Sequence, residues 1–103
     1  MGTGPAGEGR RVERVEVSEV MKVVHCQRDA YTHYIGRPSS LGNPFVLGRD
    51  GNRAQVIRQF EFYARNTPGV LADIRALPAD AILGCWCHPK PCHGDVIIKL
   101  WHE

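Results

Sequence analysis

Across residues 53–64 the apolar positions Val56, Ile57, Phe60, Tyr63 and Ala64 recur at intervals of three and four, the spacing that lays one stripe along a helix. Asn52 or Asp50 is placed to cap it and Pro68 lies beyond its end, so the pattern predicts a helix over residues 52–66. Residues 69–76 put Val70, Leu71, Ile74 and Leu77 on one side before Pro78, which predicts a shorter second helix. Val96, Ile97, Leu100 and Trp101 resume the helical period near the end of the chain and predict a third helix over residues 92–101.

Between and before these stripes the pattern changes. MKVVHCQ, residues 21–27, has the β-branched density of a strand, and YTHYIG, residues 31–36, reads as a second short strand beyond an Arg-Asp-Ala turn. The two are expected to pair as a hairpin. AILGCWC, residues 81–87, is apolar on both faces and predicts a buried, central strand. Residues 37–52 carry Gly, Pro, Ser and Asn at a density that excludes a regular element and predicts a long structured loop. Residues 1–20 read as a tail or weakly ordered start, leaving residues 21–103 as one domain. The order strand, strand, helix, helix, strand, helix predicts a small α/β or α+β domain, with a short sheet of about three strands flanked by about three helices.

Composition narrows the function classes. With 103 residues the chain has room for one core. No apolar run approaches the roughly 20 residues that span a bilayer, so no membrane role is expected. The first ten residues, MGTGPAGEGR, lack the apolar stretch of a secretory signal, which points to a reducing cytosol and away from disulfides as the resting use of cysteine. A net charge of +2 with scattered basic residues neither requires nor forbids a nucleic-acid partner.

The chemistry is concentrated in GCWCHPKPCHGD, residues 84–95, which holds three of the four cysteines and two of the five histidines. On a strand, Cys85 and Cys87 face one way and Trp86 the other. Cys92 and His93 then fall in the first turn of the last helix, where free N–H groups favour an anion, so Cys92 is the thiol expected to be acidified and Cys85 is expected to be buried and slow. Three readings stand side by side. Cys85, Cys87 and Cys92, with His88 or else Cys26 or His25 of the first strand as the fourth, are ligands suited to zinc, although adjacent Cys92 and His93 can hardly both reach one ion. Alternatively the strand end is an active site, with Cys87, Cys92, His93 and Asp95 carrying the reaction. The segment from Cys87 to His93 has the outline of the cysteine-phosphatase loop but lacks its arginine. In the third reading Cys85 is a small buried hydrophobe and Cys92 merely starts a helix. For Asp95, capping the helix and fixing the His93 tautomer are equal alternatives.

YIGRPSSLGNPF, residues 34–45, is the second informative stretch. Gly36 and Gly42 allow close backbone approach, Arg37 offers a planar fork for phosphate or carboxylate, and Asn43 opens a rigid Asn-Pro-Phe turn. Together, IGRPSSLGNPF and LGCWCHPKPCHGDVI resemble the small phage and bacterial family known as domain of unknown function number 4326, over roughly Val23 to Leu100. The resemblance implies a cytoplasmic setting in a bacterial or phage-infected cell and supplies no reaction.

The expectation is therefore that the two stretches converge at the strand ends, with Gly36, Arg37, Gly42 and Asn43 orienting an anionic, nucleotide-like ligand beside the thiols and imidazoles. The alternative is a non-enzymatic, zinc-stabilised module that binds a protein or nucleic acid.

Overall fold

The computed structural model describes residues 20–103, so the expected tail lies almost wholly outside the described residues. The elements run β1 (Lys22–His25), β2 (His33–Tyr34), α1 (Arg53–Arg65), α2 (Pro68–Arg75), β3 (Ile82–Cys85) and α3 (His93–Trp101). Three strands and three helices make the α+β architecture that the hydrophobic pattern predicts.

Helix α1 starts where its side chains can satisfy the free N–H groups of a first turn. Asn52 accepts the Gln55 amide at 2.9 Å, and the Gln55 side chain accepts the Asn52 amide at 2.8 Å, a reciprocal cap. Val56, Phe60 and Ala64, spaced by four, form its buried stripe. In α2 the proline stands at the first helical position, which needs no amide hydrogen. Helix α3 buries Val96, Ile97 and Leu100. The three helices pack on one another, and α3 also reaches β1. Phe60, Ile74, Leu83, Ile97 and Leu100 are essentially sealed from solvent, each worth about 1.5–3 kcal/mol as buried apolar surface.

The sheet order is β1-β3-β2, with both pairings parallel. Two expectations meet different fates here. The third strand is central, as its two apolar faces require, although it ends at Cys85 and leaves Trp86 and Cys87 in the following loop. The hairpin is not formed: β1 and β2 lie on opposite edges of β3 and never pair. Past the strand ends Cys26 donates to the Cys85 carbonyl at 2.9 Å and Ile35 to that of Gly84 at 3.0 Å. Both edges of β3 are thus saturated by parallel neighbours, an arrangement unavailable to an isolated hairpin.

All three strands run the same way, so one edge of the sheet collects their carboxyl ends. Cys85, Gly36 just after β2, and the start of α3 all lie there. Gly94 makes this junction tight: a Cβ at that position would meet Val23 Cγ2 at 2.7 Å and Ile35 Cδ1 at 3.0 Å.

Candidate functional site

The carboxyl edge of the sheet opens into a cavity of about 130 Å³. Its lining brings together Arg37 and Asn43 from the long loop, Arg53 from the first turn of α1, and Cys85, Cys87, Cys92 and His93 from the crowded stretch. Phe45, Leu47, Ile57 and Trp86 supply much of its apolar wall. Gly36 also lines it, whereas Gly42, His88 and Asp95 do not belong to the lining.

At the floor, the Cys85 and Cys92 sulfurs lie 3.2 Å apart, with the two residues 1% and 3% exposed. Cys92 is the N-cap of α3, and its sulfur accepts the Gly94 amide at 3.2 Å. Either sulfur can donate to the other across this contact. The Cys92 S–H bond to Cys85 lowers the Cys85 thiol to about 6 against the opposing effect of burial, assisted by the amides of Cys87 and His88 and the charge of His88. Cys92 moves the other way: bonding to Cys85 and burial both push its thiol up, with the Asp95 carboxylate adding to the effect. The expectation that Cys92 carries the charge is therefore reversed. A helix start favours an anion, but the amides of Cys87 and His88 favour one on Cys85, at the strand end, while burial and the Asp95 carboxylate disfavour one on Cys92.

His93 is 8% exposed, and its Nε2 lies 2.7 Å from the Ile35 carbonyl. Its ring packs edge-on against Phe60 at 4.9 Å between centroids. Burial, the largest influence, lowers its pKa, which keeps the ring neutral near pH 7. The imidazole therefore bolts α3 to the segment after β2. Asp95 is exposed and its carboxylate accepts the Cys92 amide at 3.2 Å; of its two anticipated roles, this contact is the capping one.

The loop residues divide similarly. Asn43 uses both ends of its amide on the protein, donating to the Val56 carbonyl at 3.0 Å and accepting from the Phe45 amide at 2.9 Å. It shapes the wall and has little left for a ligand. Arg37 spends one guanidinium nitrogen on the Asn43 carbonyl at 2.8 Å and is otherwise exposed. Gly42 sits where a Cβ would press on the Gly36 carbonyl and the Arg37 backbone at 3.0–3.1 Å, and a Cβ on Gly36 would collide with the Tyr34 ring. Both glycines serve close packing beneath the site.

Among the described residues no group of three or more His, Cys, Asp or Glu side chains is arranged to hold a metal ion. Cys85, Cys87, Cys92 and His88 thus do not close into the tetrahedral set that the zinc reading needs. The physical reason is local: Cys92 is turned into the core as a helix cap, and its sulfur is committed to Cys85 and Gly94.

A family model matches residues 20–103. The chain belongs to the family described as Domain of unknown function (DUF4326). It is also similar to an uncharacterised 12.4 kDa protein of Enterobacteria phage T4, encoded in the nrdA-td intergenic region, with 34% identity over 88 residues that cover 82% of this chain and 80% of that protein. No solved structure matches. Membership in DUF4326 agrees with the resemblance carried by the two quoted stretches, and both contribute to the cavity.

Sequence reasoning missed Arg53. Its Nη1 donates to the Pro91 carbonyl at 3.1 Å, tying the first turn of α1 to the loop before α3 and placing a second guanidinium at the cavity. Its position directly after a capping Asn52 marks a helix start, but nothing in the chain marks it as facing the thiols. The same holds for Leu47. Trp86, 57% exposed, donates its indole N–H to the Tyr34 hydroxyl at 2.8 Å, which steadies the ring at the rim.

Proposed function

We propose that this cavity is a binding site for an anionic, nucleotide-like ligand in a bacterial or phage-infected cytoplasm, with the Cys85–Cys92 pair as the chemically reactive group at its floor. The observation that carries this reading is the composition of the lining: two guanidinium groups, an aromatic and aliphatic wall, and no carboxylate. With Cys85 ionised, one net positive charge remains from Arg37 and Arg53. Apolar walls with a few convergent polar groups are the usual make-up of a small-molecule site, and parallel sheets bind ligands at their carboxyl edge.

Size sets what is enclosed. A cavity of about 130 Å³ is smaller than the roughly 300–1,000 Å³ that surrounds a drug-sized ligand. It takes one ring system, leaving the charged part of the ligand to Arg37 and Arg53 of the lining, with the exposed Trp86 as a stacking face. In this reading Cys87 borders the ligand, Cys92 holds the proton of the thiol pair, and His93 and Asp95 position Cys92.

Amide NMR titration with nucleoside monophosphates and the matching nucleosides tests the proposal. The monophosphates should shift Gly36, Arg37 and Cys87, and bind more tightly than the nucleosides. Arg53→Met, checked for native folding by circular dichroism, should weaken the monophosphate by about tenfold or more, the worth of one charged hydrogen bond of ~1.5–3 kcal/mol. Equal binding of nucleoside and monophosphate, or shifts away from the cavity, would overturn it.

A further inference from the structure

The anion-binding reading leaves a question about the floor of the cavity: why two thiols are held in contact there, and in one protonation pattern. Four free cysteines are present, but only Cys85 and Cys92 meet. Their sulfurs are 3.2 Å apart, about 1.2 Å more than the ~2.0 Å of an S–S bond. Cys85 belongs to the central strand and Cys92 caps a helix, so both are held by ordered elements. Cys85 also lines the cavity, which has room for an oxidant little larger than water.

We propose that Cys85 and Cys92 are a modification site, a dithiol that hydrogen peroxide converts reversibly to a disulfide, with Cys85 as the attacking sulfur and Cys92 as the resolving one. The Cys85 thiolate attacks one peroxide oxygen, the O–O bond breaks, and hydroxide leaves; sulfur is oxidised to the sulfenic acid and peroxide is reduced. The Cys92 sulfur then attacks the Cys85 sulfur, the S–O bond breaks, and the departing hydroxyl takes the Cys92 proton and leaves as water. The division of roles follows from the hydrogen bonds. The amides of Cys87 and His88 favour a thiolate on Cys85, burial and the Asp95 carboxylate disfavour one on Cys92, and the two sulfurs already lie in contact at 3.2 Å. Cys87 is the chemical rival, only two residues from Cys85, but it lies beyond the strand, and the sulfur that meets Cys85 is that of Cys92. This inference stands on the geometry of the pair and holds whatever ligand the cavity takes.

The test treats the folded chain with hydrogen peroxide, denatures it in N-ethylmaleimide, and maps peptides without reduction. The expected result is a Cys85–Cys92 linkage with the loss of two hydrogens, maleimide on Cys26 and Cys87 alone, and labelling of all four thiols restored by dithiothreitol. A Cys85–Cys87 linkage, earlier oxidation of Cys87 or Cys26, or no Cys85–Cys92 linkage in folded protein would overturn the proposal. Cys92→Ser supplies a second readout, because a serine hydroxyl can still cap α3 but cannot resolve a sulfenic acid. In that variant dimedone should trap Cys85, and in the parent chain it should not. Folded Cys92→Ser without a dimedone adduct on Cys85 would also refute it; if the variant does not fold, the map of the parent chain decides.

Discussion

Replacing Cys92 with alanine removes the strongest influence on the Cys85 thiol. A thiol at about 6 is ~90% ionised at pH 7, whereas one at the ordinary value of 9.0 is only ~1% ionised. In Cys92→Ala burial still raises the Cys85 thiol while the amides of Cys87 and His88 still lower it, so its midpoint should move up toward the ordinary value. The thiolate fraction at pH 7 should then fall by about tenfold or more. Each remaining thiolate is intrinsically more nucleophilic as its pKa rises, so the midpoint of the rate profile is the secure readout. The assay is iodoacetamide modification of Cys85 followed peptide by peptide across a pH series, with circular dichroism to check folding, because loss of the cap costs about 1 kcal/mol. The expected result is a Cys85 midpoint near 6 in the parent chain and one displaced upward in Cys92→Ala. An unchanged midpoint, or a parent profile in which Cys92 titrates first, would refute the assignment of the charge to Cys85.

Stability should follow the same pair. Cys85 is acidified in the folded chain, so the unfolded chain binds more protons between about 6 and 9; stability should rise with pH across that window by up to ~1.4 kcal/mol per unit and be lost as pH falls through 6. Above 9 the slope should reverse, because folded Cys92 retains a proton that the unfolded chain gives up. Urea denaturation across the window reads both limbs, and a flat profile would count against these shifts. Gly94→Ala should lower the melting temperature through ~1–3 kcal/mol of overpacking, since its Cβ would press on Val23 and Ile35; a variant that melts like the parent would show that the α3 junction is looser than described.

The helices were legible in the chain because their causes are local. The stripe of Val56, Phe60 and Ala64, a cap at Asn52 and the prolines that bound the segments act within a few residues of one another, and they place the helices to within about one residue. The central position of β3 was equally legible, because only a strand covered on both sides can be apolar on both faces. Closeness in the chain misled where pairing was non-local. The short span between β1 and β2 suggests a hairpin, yet Cys26 and Ile35 both bond to β3, some fifty to sixty residues away, and the parallel sheet follows from that choice. The site divides along the same line. Its residue types and its two contributing stretches were readable, because thiols, imidazoles and glycines are conspicuous in any order. Arg53 at the same cavity as the thiols, Asn43 and His93 spent on internal carbonyls, and the acidification of Cys85 in place of Cys92 were decided by tertiary packing alone. Hydrogen-bond partners distant in sequence determine which polar groups remain free to act, and they meet only once the strands and helices have docked.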